Sequence, residues 1–195
     1  SRRRHTRLLT VTGVQTCALP ILMQTQFEKL QEAVKDYLVT NADEPMEMVV
    51  GNLLKQRNQT VATAESCTGG FIGHLLSKHA GSSKFYTGGI ISYDNRIKTE
   101  FLEVPPTILQ TVGAVSKEAV EQMAIAVRAK MNTDYSISVS GIMGPSGQTD
   151  EKPLGMVWVG VANRERVVSK VFYLRFRSEE HTSELQSQST ISYAV

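Results

Sequence analysis

The sequence predicts an α/β fold: a three-layer α/β/α sandwich around a mixed, mostly parallel sheet of about five strands. Three observations carry this. Short apolar runs rich in Val, Ile and Thr alternate with longer segments whose apolar residues recur at helical spacing. The last two apolar runs are separated only by Asn163-Arg164-Glu165-Arg166, a link so short that it implies an antiparallel hairpin. A chain of 195 residues with 41% hydrophobic and 21% charged content has enough apolar material for one core of ordinary size.

The elements follow in order. Phe27, Leu30, Ala33, Val34, Tyr37 and Leu38 have helical spacing, which predicts a helix over 27–39. The run Asn41 to Pro45 breaks it, with Asp43 able to cap a second helix, Met46 to Lys55, whose first turn holds Pro45. Val61 to Ala64 reads as a buried strand, and Phe71 to Lys78 as a helix opened by Ser66. Gly81 to Thr87 is a loop, Gly88 to Tyr93 a strand, Asp94 to Arg96 its exit, and Lys98 to Leu102 a short helical piece ended by Pro105-Pro106. Ser116 to Met131 is the clearest helix, with Val120, Met123, Ala124, Val127 and Met131 on one face and Ser116 as N-cap. Tyr135 to Ser140 alternates like a strand, Gly141 to Pro153 is a long Gly/Pro-rich loop, and 155–161 and 167–176 form the hairpin. Strands separated by helices are expected to be parallel.

Charge and cysteine usage narrow the function classes. The net charge of +2 makes no case for nucleic-acid binding. No apolar run reaches the length of a membrane span. Cys17 and Cys67 have no ligand-like spacing, which argues against a zinc site or a disulfide framework and leads us to expect a cytoplasmic protein. The ends stand apart. Residues 1–21 carry four Arg and no acid, residues 178–195 carry three Glu and no Lys or Arg, and 22–177 holds 17 basic and 16 acidic residues. Both ends read as non-native, of the kind produced by translated sequencing adapters, and the fold reasoning excludes them. Resequencing the genomic locus checks this: the same codons inside an intact gene would refute it.

Three segments fall at strand ends, where open α/β sheets place their ligands: Ser66 to Gly70, Tyr93 to Lys98, and Gly141 to Gly147. Ser66 stands where a strand turns into a helix, so it has two readings. It caps the helix, or it is a nucleophile beside backbone N–H groups able to hold an oxyanion or an anionic ligand. His74 and His79 lie along the helix that Ser66 opens. His74 is about 12 Å further along the axis at 1.5 Å per residue, which makes it an unsuitable base. A lysine is the alternative, provided its pKa falls from about 10.4 towards roughly 7–8. Lys98, near Ile97 and Phe101, is the candidate; on its own residues a solvated surface lysine is the ordinary reading, as strand-end packing is for Tyr93. Cys67 is a rival nucleophile whose plainer reading is a small buried residue. The loop Gly141-Ile142-Met143-Gly144-Pro145-Ser146-Gly147-Gln148-Thr149 has the glycines to wrap a phosphate, yet lacks the Gly-Lys-Ser/Thr of a Walker A loop; Lys152 and Pro153 are placed to position its far end. No His/Cys/Asp/Glu cluster has metal-ligand spacing.

Taken together, AESCTGG (64–70), GGIISYDNRIK (88–98), GAVSKEAV (113–120) and SGIMGPSGQTDEKPLGMVWVGV (140–161), in this order and spacing, resemble the CinA C-terminal domain family. That family includes the PncC-like nicotinamide-nucleotide amidohydrolases, or NMN deamidases. The resemblance spans roughly Pro45 to Phe176 and implies this organisation: a non-native leader (1–21), the tail of an upstream CinA segment or linker helix (22–43), a deamidase domain lacking its last helix (44–177), and a non-native tail (178–195). It further implies hydrolysis of nicotinamide mononucleotide to nicotinate mononucleotide and ammonia. Ser66 would be nucleophile and Lys98 base, with Tyr93 orienting Lys98 or relaying a proton. Cys67, Thr68, Gly69, Gly70, Gly141, Gly144, Ser146 and Gly147 would bind substrate. No metal or other cofactor is implied. The expected partners are the nucleotide substrate, an upstream domain and possible further copies of the chain, with neither nucleic acid nor membrane. The loop departs from the commoner GIAGPGGG form at Met143, Ser146 and Gln148. The competing expectation is a non-catalytic domain, linked to competence or damage, that binds nucleotides or other proteins.

Overall fold

A computed structural model of the chain describes residues 23–33, 35, 39–40, 43–144 and 147–174. The chain divides into two compact units, Ser1–Glu44 and Pro45–Val195. In the first, 23–33 is helical, starting four residues before the predicted helix, and Gln24 Nε2 donates to Glu28 Oε1 at 3.0 Å across that extra turn. The readings of 1–21 and 178–195 lie outside the described residues.

The second unit contains α1 (Met46–Arg57), β1 (Val61–Glu65), α2 (Phe71–Ser77), a 3₁₀ turn (Ser82–Lys84), β2 (Tyr86–Ile91), α3 (Asn95–Leu102), α4 (Pro106–Thr111), α5 (Lys117–Met131), β3 (Tyr135–Gly141), β4 (Met156–Ala162) and β5 (Val167–Tyr173). The sheet order is β2-β1-β3-β4-β5. β1 pairs parallel with β2 and β3, while β4 pairs antiparallel with both β3 and β5. Four of the five strands therefore run the same way, and the hairpin implied by the four-residue link is present. On one face, Leu54 of α1 and Ile72 and Leu76 of α2 pack with Val61, Val139, Val157 and Val159. On the other, Leu102 of α3 and Ala119, Met123, Ala126 and Val127 of α5 pack with Ala62 and Ala64. These are the three layers.

Several local expectations shift. α1 has Pro45 at its N-cap position and no side-chain cap; the Pro45 carbonyl accepts from Met48 N and Val49 N, so Asp43 has no capping role. β2 begins two residues earlier than predicted because Tyr86 already pairs with Val61, and it ends at Ile91 because Ser92 turns back to donate to the Glu65 carbonyl. α3 starts at Asn95, capped by Asp94, whose side chain accepts from Arg96 N at 2.7 Å. Pro106, read as a stop, occupies the first turn of α4, where its missing N–H costs nothing. Ser116 caps α5 as expected.

Both faces of β3 are covered: Val139 packs with α1 and α2, and the serines face α5, with Ser136 and Ser138 fully buried. Ser136 donates to Ala124 O at 2.7 Å, Ser138 to Val120 O at 2.6 Å, and Ser140 to Ala114 O at 2.8 Å. Hydroxyls thus tie β3 to α5 and its approach. Among the described residues no helix is long and apolar enough to cross a membrane.

Candidate active site

The parallel strands β1, β2 and β3 end together, with Glu65 opposite Ile91 on one side and Val139 on the other. The chain leaves β1 through α2 on one face and reaches β3 from α5 on the other, so the site lies where the direction of winding reverses.

Glu65, the last residue of β1, decides the path of the next turn. Its side chain is 1% exposed. Oε2 accepts from Thr68 Oγ1 at 2.7 Å, Gly70 N at 3.1 Å and Ile72 N at 3.0 Å, and Oε1 accepts from Gly73 N at 2.8 Å. The carboxylate therefore satisfies the orphan donors at the start of α2 and meets the positive end of its dipole. Ser66 does not cap this helix. The N-cap position belongs to Gly70, at φ +97°, where an added Cβ would also lie 2.8 Å from Ile91 Cδ1. Gly73 is equally constrained, since a Cβ there would lie 2.5 Å from the Tyr86 hydroxyl and 3.3 Å from Glu65 Oε1.

Freed from capping, Ser66 is held by its backbone, whose N–H donates to Val139 O at 3.0 Å, while Gly69 N donates to the Ser66 carbonyl at 3.1 Å. Its hydroxyl accepts from Lys98 Nζ at 3.1 Å. Lys98 projects from the first turn of α3 and is 1% exposed, a correction to the solvated reading. Its ammonium also donates to the carbonyls of Ser92 and, at 3.3 Å, Tyr93. Burial pushes the Lys98 pKa below the ordinary lysine value, against the opposing pull of Cys67 and Asp94. Tyr93 contacts Lys98 through its carbonyl, and its side chain is 79% exposed; the phenol is not the group that touches the lysine.

Cys67 lies beside Gly141, where an added Cβ would come within 3.1 Å of Sγ, so the Ser66 turn and the start of the glycine-rich loop adjoin. Burial pushes the Cys67 thiol up to about 12, against its own and the Thr68 backbone N–H groups, which favour the thiolate. A neutral thiol is a poor nucleophile. Among the described residues the amides of Cys67 and Thr68 bond no carbonyl or carboxylate, and the protein group they face is the Cys67 sulfur. The turn thus offers two amides beside the serine, whereas those of Gly70, Ile72 and Gly73 are engaged by Glu65.

Gly69, Gly144 and Gly147 stand in open space, with nothing within 4 Å of an added Cβ. Ser146 lies outside the described residues. Lys152 fastens the far end of the loop by donating to the carbonyls of Val112 and, at 2.8 Å, Val115. Two residues escaped the sequence reading. Glu65 carried a signal, an acid at the end of a strand four residues ahead of the Gly-Gly that opens a helix. Ser92, fully buried, donates through its N–H to Glu65 O at 2.6 Å while its own carbonyl receives Lys98; as one polar residue in an apolar strand it carried none.

The fold and this site define an α/β domain in which a serine and a buried lysine meet at the carboxyl ends of parallel strands. The chain belongs to the CinA C-terminal domain family, which matches residues 43–193. A CinA-like protein of Cytophaga hutchinsonii is 43% identical over 161 residues, 83% of this chain and 38% of the relative. One from Crocosphaera subtropica is 41% identical over 165 residues, 85% of this chain and 40% of the relative. The chain thus spans about two fifths of the length of these relatives. Competence damage-inducible protein A of Klebsiella pneumoniae superposes with a TM-score of 0.68 at 30% identity, covering 76% of this chain and 91% of that one. The competence/damage-inducible protein of Agrobacterium tumefaciens gives 0.69 at 29%, covering 76% and 87%.

Proposed function

We propose that this domain is an amidohydrolase that converts nicotinamide mononucleotide to nicotinate mononucleotide and ammonia. The observation that carries the reading is the contact of 3.1 Å between Ser66 Oγ and the buried Lys98 Nζ, beside two amides that bond no oxygen acceptor among the described residues. In the reactive state Lys98 is neutral and the contact reverses, the amine accepting the Ser66 proton as Oγ attacks the carboxamide carbon. The oxyanion forms against the N–H groups of Cys67 and Thr68. Collapse breaks the C–N bond, and the Lys98 ammonium returns its proton to the departing nitrogen, giving ammonia and a Ser66 ester. Water, deprotonated by Lys98, hydrolyses that ester to the carboxylate and restores the serine.

The carbonyls of Ser92 and Tyr93 hold Nζ at the serine. Because Glu65 occupies the amides at the start of α2, the phosphate is assigned to the Gly141–Gly147 loop, whose far end Lys152 fixes. The reaction is placed in the cytoplasm.

Ammonia release from nicotinamide mononucleotide tests the reading. The expected result is turnover by the wild type and a loss of at least about a thousandfold in Ser66→Ala, with nucleotide binding retained. Binding without ammonia release would instead favour a nucleotide-binding or interaction module, the role suggested by the competence and damage names of the matched structures. Unchanged turnover in Ser66→Ala would refute the serine mechanism.

A further inference from the structure

We infer that Glu65 is the positioning residue of this site, holding both the nucleophile turn and the anchor of the base; the inference rests on the proposed nucleophilic role of Ser66. A carboxylate buried to 1% exposure needs a compensating set of donors, and this one takes four from the eight residues that follow it. The strongest geometric consequence falls on the turn itself. Thr68 Oγ1 and Gly70 N bind the same oxygen, so residues 66–70 must curl around Oε2. That curl leaves the amides of Cys67 and Thr68 without an oxygen acceptor among the described residues.

The main chain of the same residue serves the other half. The Glu65 carbonyl receives both the N–H and, at 3.3 Å, the hydroxyl of Ser92, whose own carbonyl receives Lys98 Nζ. Side chain and carbonyl of one residue therefore set the serine and the lysine relative to each other across 32 positions of sequence. Glu65 does not touch the reacting atoms. Its carboxylate bonds Thr68, Gly70, Ile72 and Gly73 and neither Ser66 Oγ nor Lys98 Nζ, so its action is geometric.

The test compares wild type with Glu65→Gln and Thr68→Val. Glutamine keeps the shape but presents an NH₂ where one oxygen was, so either the Gly73 bond or those of Gly70 and Ile72 are lost and the turn loosens. In Glu65→Gln kcat is expected to fall about 10- to 100-fold, the scale of a small misplacement of reacting groups, with KM within about threefold. The pH at which the rate rises should stay where it is in the wild type. Thr68→Val, which removes a single donor and leaves the carboxylate in place, should show the same pattern at about tenfold, and it decides the matter if Glu65→Gln does not fold. A folded Glu65→Gln with kcat within about twofold of wild type, a loss carried by KM, or a displaced pH profile would each overturn the inference.

The rate of Ser66 labelling by an alkyl fluorophosphonate separates this from the substrate assignment. A wild type labelled at Ser66 that releases no ammonia would refute the amidase reading, while slower labelling of Glu65→Gln, by about tenfold, would still uphold Glu65. Equal labelling rates would refute Glu65. A wild type that is neither labelled nor active would overturn both.

Discussion

Replacing Lys98 by Met removes one nitrogen from a closed cluster and should change rate and stability in different ways. Methionine fills the same length of apolar passage, so the α3 packing around Leu102 is retained. A positioned general base contributes about 10²–10⁴ in rate, or roughly 3–5 kcal/mol of barrier at 1.36 kcal/mol per decade. Among the described residues no histidine bonds Ser66, so nothing else in the cluster replaces that contribution. Stability has two opposing parts. The Ser92 carbonyl loses its buried donor, at a cost of about 1–3 kcal/mol. Against this, the variant no longer buries an ammonium, and each unit by which the folded pKa lies below the unfolded one corresponds to about 1.4 kcal/mol.

The sign of the pH dependence follows from the direction of that shift. Below the folded-state pKa the lysine is charged in both states and the full penalty is present. Between the folded and unfolded values the unfolded chain binds more protons, so wild-type stability rises with pH. Above the unfolded value the gain is complete. The wild type should therefore gain stability relative to Lys98→Met as pH climbs towards 10.5, the ordinary lysine value, and its kcat/KM should rise through the folded-state pKa as the amine becomes neutral. Denaturant titrations of both proteins between pH 7 and 10.5, with ammonia release measured in parallel, check this. A stability difference flat across that range, or a variant retaining a tenth of the wild-type rate at pH 7.5, would refute the account of a desolvated lysine base.

Cys67, with its thiol pushed up to about 12, should react with iodoacetamide at pH 8 far more slowly than a free cysteine, and Cys67→Ala should keep more than about half the rate; rapid alkylation accompanied by loss of turnover would point to a thiolate nucleophile instead. Ser138→Ala removes a fully buried hydroxyl bonded to Val120 O and should cost about 1–2 kcal/mol in urea unfolding, without altering KM, because its effect is confined to the joint between β3 and α5.

The layers were legible because they are written in periodicity. The spacing of Val120, Met123, Ala124 and Val127 has one physical meaning, and a four-residue link between two strands has another. Ser66 and Lys98 could each be placed at a strand end, yet their meeting depends on β1 and β2 being neighbours, which spacing does not encode. The identity of the cap was misread for a related reason. Serine is the commoner N-cap, whereas a glutamate reaches forward to amides up to eight residues away only once the turn has bent round it. The burial of the β3 serines was hidden because alternation of polar and apolar residues suggests one exposed face, whereas helices cover both faces of this central strand and the hydroxyls bond α5 carbonyls.

The lysine that bridges Val112 and Val115 has a consequence for how this family can vary. With Ile142 bonded to Met156 and Gly155 at one end and Lys152 fastened at the other, the intervening stretch is a span with both ends nailed down. Lengthening such a span costs only the slow logarithmic growth of loop-closure entropy, about 0.6 kcal/mol per doubling. Residues at its tip are therefore free to be exchanged, added or removed with little effect on the sheet beneath. Gln148, exposed, falls in the part of the chain where a change of ligand preference would least disturb folding, whereas Met143 packs against the core and is tied to it.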